Sequence, residues 1–194
     1  MQDSATARAS SLLRVEDGNV DTERLRLERW RRRDHAPGLA AVNADAEVME
    51  FINQGVPLTR VESGIGSDRV AEHWRTYGFG LWAVIEKAGD RMIGFAGVCH
   101  PLWLPGWERT VEVGWRLHRD AWGKGYATEA GRAGLAYGLE RLGLAEIVAF
   151  IHPGNHRSAA VAARLGLELR ERIPHPQRPH ELDVFSVRAA AAPA

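Results

Sequence analysis

The stretch from Val111 to Ala133 constrains the fold most, because it joins a strand, a glycine turn and the start of a helix. Val111 to His118 carries β-branched and aromatic residues in near alternation, which predicts a β-strand. The hexapeptide from Trp122 to Ala127, W-G-K-G-Y-A, has two glycines that free the backbone, and Thr128-Glu129-Ala130 then opens a helical run. A strand that enters a helix through such a turn presents unpaired N–H groups at the positive end of the helix dipole. This arrangement suits a phosphate or a diphosphate.

The glycine turn alone also fits a purely structural role, since short glycine motifs often occur where nothing binds. Two other phosphate-binding patterns do not fit. A P-loop requires four residues between its glycines and a Ser or Thr directly after the lysine. Here a single residue separates Gly123 from Gly125, and the residue after Lys124 is a glycine. The dinucleotide fingerprint G-x-G-x-x-G lacks its third glycine, because Thr128 stands there.

The segment resembles the acyl-CoA-binding segment of the GNAT acetyltransferase superfamily, whose pattern is Q/R-x-x-G-x-G/A. Gly125 and Ala127 take the fourth and sixth positions, and Trp122 replaces the Gln or Arg of the first. The strings V-E-V-G-W-R-L and W-G-K-G-Y-A-T-E-A resemble the Rim-type branch, which acetylates protein N-termini and in which an aromatic first residue is familiar. T-E-R-L-R-L from Thr22 and N-x-x-S…L-G from Asn155 extend the resemblance over residues 21 to 188.

The predicted element order is β-α-α-α-β-β-β-α-β-α-β-β, an α/β arrangement with a mixed sheet. The resemblance implies a mostly antiparallel central sheet flanked by helices, with a splayed strand pair that holds acyl-CoA. We expect a single domain over residues 21–188, preceded by a disordered extension over residues 1–20 and followed by a tail at 189–194. Pro57 and the pair Gly64/Gly66 indicate a loop, so the third helix is predicted from Ser67 to Tyr77.

The resemblance implies an acetyl-CoA-dependent N-acetyltransferase that moves the acetyl group directly to a primary amine in a ternary complex. The acceptor is expected to be a protein N-terminal α-amine or a small-molecule amine. Backbone groups of the splayed strand and of the glycine turn are expected to hold the donor, together with side chains after the next strand. The residues predicted to contact acetyl-CoA are Trp115, Arg116, Leu117, Trp122, Gly123, Lys124, Gly125, Tyr126, Ala127, Asn155 and Ser158.

Glu112 is the candidate general base. It precedes Gly114 by two residues, so the period of a strand places both on one face. Related enzymes use a carboxylate at this position, often through a water molecule. Apolar neighbours would raise the pKa of such a carboxylate toward the working range. The alternative is an exposed strand glutamate paired with an arginine.

The group that protonates the leaving thiolate is less defined. Many members of the family use a Tyr in the helix after the Asn, but Ala162 occupies that place. Ser158 is a candidate substitute, as the Rim-type branch suggests, and a thiolate can also leave unprotonated. Asp183 is a further carboxylate that could face the acceptor. Cys99 has no His or Asp at a spacing typical of a catalytic cysteine, so we interpret it as a small buried residue rather than a nucleophile.

The composition of the chain limits the classes of binding partner that we expect. Lys plus Arg balance Asp plus Glu at 25 each, which predicts neither nucleic-acid nor membrane binding. One cysteine and no apolar run of membrane-spanning length indicate a cytoplasmic protein, and the histidine spacing predicts no metal site. The loop from His100 to Trp107 holds Trp103 and Trp107. It either shapes an acceptor pocket or packs as core or against a partner chain, which leaves a homodimer open.

The absent tyrosine keeps two other functions open. The first is a non-catalytic or regulatory module that binds acyl-CoA without transferring its acyl group. The second is a structural protein with a vestigial pocket. Binding of acetyl-CoA without thiol release would indicate the first, and failure to bind coenzyme A would indicate the second.

Overall fold

One nine-stranded sheet organises the computed structural model, which describes residues 15–189. In chain order the strands are β1 Val15–Glu16, β2 Asn19–Asp21, β3 Leu25–Glu28, β4 Leu81–Glu86, β5 Arg91–Cys99, β6 Glu112–Leu117, β7 Glu146–Ile151, β8 Glu168–Pro174 and β9 Glu181–Arg188. Across the sheet the order is β1-β2-β3-β4-β5-β6-β7-β9-β8. Neighbouring strands are antiparallel except β6 and β7, which are parallel. The predicted mixed, mostly antiparallel sheet is confirmed.

Helices cover both faces of this sheet. They are α1 Arg32–Asn43, α2 Ala46–Met49, α3 Arg60–Tyr77, α4 Tyr126–Ala136, which continues as a π-helical turn over Tyr137–Arg141, and α5 His156–Arg164. The Arg116 side chain of β6 reaches Asn43 of α1, whereas Val113 of the same strand lies against Gly134 of α4. Successive side chains of a strand point to opposite faces, so α1 and α4 cover opposite faces of the sheet.

The strand at the start of the predicted domain forms as its alternation indicates. In β3, Leu25 and Leu27 are fully buried, while Arg26 and Glu28 are half-buried. Both leucines belong to the main hydrophobic core together with Trp82 of β4, which is also fully buried. Removal of these apolar side chains from water stabilises the centre of the sheet.

The N-terminal prediction was wrong for residues 15–20. These residues form the hairpin of β1 and β2, in which Glu16 pairs with Asn19. Asp17 and Gly18 both adopt left-handed conformations, with φ of 50° and 81°, and Asp-Gly is a preferred pair for a two-residue hairpin turn. The indole of Trp82 donates to the Gly18 carbonyl oxygen at 2.7 Å, which ties the hairpin to the core. The predicted disorder of residues 1–14 concerns positions outside the described residues.

The third helix begins seven residues before its predicted start. Thr59 caps α3 through a reciprocal capping box with Glu62, and the helix runs from Arg60 through the two glycines that were predicted to lie in a loop. Its buried Ser63 and Ser67 accept hydrogen bonds from Asn43 and Trp30. These contacts and the cap offset the helix-propensity cost of the glycines, about 1 kcal/mol each.

Candidate active site

A gap opens in the sheet between the two parallel strands β6 and β7. The strands share a single pair among the described residues, Glu112 with Val148, and the Val148 N–H donates to the Val111 carbonyl oxygen at 3.0 Å. Beyond this pair they diverge, as the resemblance implied. The resulting cavity is lined by Glu112, Val113, Gly114, Trp115, Ala149, Phe150, Ile151 and Ser158.

The bond at Val111 determines which backbone groups of β6 face the gap. Because backbone groups alternate sides along a strand, odd-numbered residues direct their N–H and C=O toward β7, and the groups of Trp115 therefore face the cavity. The two other predicted positions of β6 have backbone partners within the protein. Arg116 directs its backbone to β5, where it pairs with Phe95. The Leu117 carbonyl oxygen accepts from the Trp122 indole at 2.9 Å, so it is already engaged.

Glu112 lies where the two strands separate. Its Oε1 atom accepts from the Trp103 indole N–H at 3.2 Å and from the Cys99 thiol at 3.7 Å. Within residues 15–189 no basic side chain forms an ion pair with it. Burial raises the pKa of Glu112 to about 7, although the two hydrogen bonds act in the opposite direction. The geometry therefore differs from the exposed, arginine-paired glutamate that the sequence left open.

Ser158 lies across the gap from Glu112 and contributes to the same cavity. Asn155 orients it, because the Asn155 Oδ1 atom caps α5 by accepting from the Ser158 N–H at 3.1 Å. The amide oxygen of Asn155 is thus occupied by the protein itself. Ala162, at the position of the expected tyrosine, is fully buried in the core.

The glycine turn that was predicted to bind an anion, here called the cradle, presents free backbone donors. Gly123 and Gly125 have φ of 73° and 82°, a left-handed conformation that favours glycine. The helix α4 starts at Tyr126. The first backbone hydrogen bond of this helix is donated by the Glu129 N–H to the Gly125 carbonyl oxygen, at 3.0 Å. In the part of the chain that the structure describes, the backbone N–H groups from Gly123 to Thr128 donate to no protein acceptor. This row of free donors at a helix N-terminus fits a diphosphate.

A clamp, formed by Thr22, Arg24 and Glu129, holds the turn from the N-terminal side of β3. Glu129 accepts from the Thr22 hydroxyl at 2.7 Å, from the Arg24 backbone N–H at 2.8 Å and from the Arg24 guanidinium at 2.7 Å. The same guanidinium donates through Nη1 to the Lys124 carbonyl oxygen at 2.9 Å. Sequence reasoning noted T-E-R-L-R-L and T-E-A as family strings but assigned no role to them. The only signal in the sequence for this contact was the opposite charge of Arg24 and Glu129.

The side chains of the turn have structural roles. The Tyr126 ring is buried, its hydroxyl donates to Glu86 at 2.7 Å, and the Arg24 guanidinium lies 4.7 Å from its centre. The Trp122 ring stacks under Arg157 at 4.5 Å. Lys124 is exposed, and Ala127 packs against the core. Tyr126 and Ala127 therefore have only their backbone N–H groups available for the predicted contact with the diphosphate.

Two other candidates from the sequence have defined places. Asp183 of β9 forms an ion pair with Arg172 at 2.6 Å, so its charge is compensated. Burial and the neighbouring Glu112 carboxylate raise the pKa of the Cys99 thiol well above its ordinary value. A protonated thiol is a poor nucleophile, which agrees with the interpretation of Cys99 as a packing residue.

Among residues 15–189, no group of three or more His, Cys, Asp and Glu side chains is arranged to hold a metal ion. None of the helices in that range combines the length and the apolar character that a membrane crossing requires.

Comparison with known proteins identifies the family and the fold. The model of the acetyltransferase (GNAT) domain matches residues 24–168, three quarters of the chain. The chain belongs to the GNAT acetyltransferase family. It is therefore an acetyltransferase, and acetyl-CoA is its acyl donor. The gap and the cradle described above fit the extended arm and the diphosphate of that donor.

Individual relatives agree with this assignment. The protein YkkB of Bacillus subtilis is 29% identical over 160 residues, which cover 78% of this chain and 86% of YkkB. An acetyltransferase of Agrobacterium tumefaciens has a similar structure, with a TM-score of 0.74, 27% identity and coverage of 91% and 97% of the two chains. The ribosomal α-N-protein acetyltransferase RimL in complex with coenzyme A superposes with a TM-score of 0.70 over 88% of this chain and 97% of RimL. At 14% identity this likeness concerns the fold alone, and at that level it agrees with the Rim-like resemblance.

The clamp leads to a prediction about donor affinity. Replacing Arg24 with Met removes the hydrogen bond to the Lys124 carbonyl oxygen and the ion pair with Glu129, so the turn loses part of its support. Because the ion pair is partly exposed, we expect a roughly threefold to tenfold rise in the acetyl-CoA dissociation constant with kcat nearly unchanged. Calorimetric titration measures the first and steady-state kinetics the second.

The matched control for that experiment is Arg26→Met. Arg26 lies two residues further on, in β3, and pairs with Glu28 and Asp90, away from the turn. Equal effects of the two substitutions on acetyl-CoA affinity would show that the clamp does not position the cradle.

Proposed function

We propose that this protein acetylates a primary amine by direct transfer from acetyl-CoA within a ternary complex, with Glu112 as the general base. The observation that carries the proposal is the Glu112 carboxylate itself. It lies at the closed end of the gap, where β6 and β7 separate, has no ion-pair partner within residues 15–189, and has a pKa of about 7. A base with that pKa is half ionised at neutral pH, which suits proton transfer from an alkylammonium group.

The proposed reaction uses four groups of this chain. The free N–H groups of the turn bind the diphosphate, and the Trp115 backbone pairs with the extended arm of the donor. Glu112 takes the proton from the ammonium, directly or through one water, and the amine nitrogen then attacks the thioester carbonyl carbon. The carbon–nitrogen bond forms and the carbon–sulfur bond breaks. The nitrogen loses its second proton as the amide forms, and this proton passes through the Ser158 hydroxyl or solvent to the departing sulfur, so that coenzyme A leaves as the thiol. The Ser158 hydroxyl, across the gap, hydrogen-bonds to that sulfur.

The high pKa of Cys99 supports direct transfer rather than an acetyl-enzyme. We expect two-substrate kinetics with intersecting double-reciprocal lines, since both substrates are bound together. The assay follows release of the free coenzyme A thiol with a panel of primary amines, and mass spectrometry identifies the acetylated product. Parallel lines together with an acetylated protein would contradict direct transfer. Saturable acetyl-CoA binding without thiol release for any amine would contradict the proposed function.

A further inference from the structure

Six aromatic and imidazole rings form a continuous surface next to the gap, here called the ring wall. Consecutive ring centres lie 4.7 to 5.9 Å apart in the order Phe51, His152, His180, His175, Trp103 and Phe150. The rings come from four separate parts of the chain: the segment after α2, the loop between β5 and β6, the end of β7, and the loop between β8 and β9. Trp107 packs on the outer side of Phe150 at 5.1 Å.

The ring wall begins at the proposed base. Trp103 donates to Glu112 and is 42% exposed, and Phe150 lines the cavity between β6 and β7. The other four rings are partly exposed, and none of the six belongs to the main hydrophobic core. Packing of the protein interior therefore does not account for them. The loop of Trp103 and Trp107 thus lies at the site, one of the two places that the sequence left open.

Two acidic side chains beside the ring wall form ion pairs with arginines. Asp183 pairs with Arg172, and Glu50, beside Phe51, pairs with Arg157 at 2.8 Å. Burial lowers the pKa of His175 and of His180, and the Arg178 guanidinium acts in the same direction on both. These imidazoles are therefore neutral at pH 7 and present flat, uncharged faces. A polyamine would need several free carboxylates to replace its hydration, and Glu112 is the single carboxylate among the residues that line the cavity between β6 and β7.

We propose that the ring wall binds the acceptor, and that the acceptor is a small primary amine joined by a short alkyl chain to an aromatic ring. Aromatic rings gain energy from offset and edge-to-face contacts with one another, beyond the burial of their area. Trp103 contacts both the proposed base and the neighbouring rings, so a bound aromatic group would lie beside the carboxylate that deprotonates its amine. The inference rests on the proposed acetyl transfer and specifies its substrate class.

The test compares three probe amines in the thiol-release assay with the full-length protein. These are 2-phenylethylamine, 2-cyclohexylethylamine, which has the same spacer without the aromatic ring, and spermidine. We expect kcat/KM to be about fivefold to tenfold higher for the phenyl than for the cyclohexyl compound, which corresponds to one or two aromatic contacts. Spermidine is expected to be turned over at least about a hundredfold less efficiently, because its additional charges find no partners.

Variants place the effect on the ring wall. Phe51→Leu and His180→Leu each remove one ring that does not touch Glu112. They are expected to raise KM for 2-phenylethylamine about fivefold to tenfold, with KM for acetyl-CoA unchanged. Tyr77→Leu is the matched control, because Tyr77 is a partly exposed ring in a different ring cluster, with His73, Phe79 and His100.

The outcomes separate this inference from the function on which it rests. Turnover of 2-phenylethylamine with KM effects confined to the ring-wall variants supports it. Preference for spermidine, or equal use of the phenyl and cyclohexyl compounds with unaffected variants, would overturn the substrate class and leave acetyl transfer standing. If acetyl-CoA bound but no amine caused release of the thiol, the proposed function and this inference would both be overturned.

Discussion

The Glu112→Gln variant is expected to lose between about a hundredfold and ten-thousandfold in kcat, the usual contribution of a positioned general base. Gln keeps the oxygen that accepts from Trp103 and cannot take a proton, so the shape of the site is preserved. Acetyl-CoA affinity should stay within about twofold, because the proposed cradle is built from backbone groups further along the chain. Steady-state kinetics and calorimetric titration measure the two quantities separately.

The dependence of kcat on pH tests whether Glu112 is the general base. Since the pKa of Glu112 is about 7, the active, ionised form is lost below neutrality. In the wild type, kcat should therefore fall about tenfold for each pH unit below the pKa. This limb should be absent from the residual activity of the variant. Glu168→Gln, at an exposed position of the edge strand β8, is the control and should retain the wild-type profile. An unchanged limb in the Glu112→Gln variant would assign the titration to another group.

The same substitution should increase stability at alkaline pH. The folded protein holds the Glu112 proton more tightly than the unfolded chain, since its pKa is about 7 rather than 4.5. The wild type therefore loses stability as the pH rises between these values, and Gln carries no such charge. We expect the variant to have the higher Tm at pH 8, with a difference that shrinks toward pH 5. A variant that is less stable at pH 8 would show that the carboxylate is well solvated.

A charge placed in the glycine turn should abolish most donor binding. We expect Gly123→Asp to raise the acetyl-CoA dissociation constant about tenfold to a hundredfold, because a carboxylate there repels the diphosphate at close range. Asp tolerates the left-handed conformation better than most residues. A Cβ at Gly123 would meet no protein atom within 4 Å, so the substitution causes no clash of its own. Calorimetric titration with acetyl-CoA measures the effect.

Gly143→Asp is the matched control. Gly143 is also exposed, has φ of 67° against 73° for Gly123, and likewise has open space at the Cβ position. Both substitutions therefore carry similar backbone strain and add the same charge, but Gly143 follows α4 rather than preceding it. If Gly143→Asp weakened acetyl-CoA binding as much as Gly123→Asp, the loss would reflect net charge or stability. The assignment of the diphosphate site to the glycine turn would then be wrong.

Local patterns predicted most of the fold, because they report local geometry. The alternation around Leu25 and the glycines at 123 and 125 specify a strand and a turn wherever they occur. The errors arose where a second local signal went unused. The Thr59–Glu62 capping box starts α3 despite its glycines, and Asp17-Gly18 makes a hairpin of a segment predicted to be disordered.

The site was predicted less completely, because its side chains meet across long sequence distances. Glu112, Ser158 and the turn were predicted from the family strings, and the structure brings Glu112 and Ser158 to one gap. The contact of Glu129 with Arg24 spans 105 residues, and nothing in either segment alone indicates it. The ring wall likewise joins four segments that become neighbours only when the sheet is assembled.

The divergence of β6 from β7 also bears on aggregation. Unpaired strand edges are templates on which another polypeptide can add, and here two such edges lie inside a sheet. Paired strands are about 4.8 Å apart, so an intruding strand needs a slot about twice as wide along its whole length. The bridge between Glu112 and Val148 closes one end of the slot, so its width falls to that of an ordinary ladder there. A slender thioester arm can enter such a wedge, whereas a foreign β-strand cannot be accommodated.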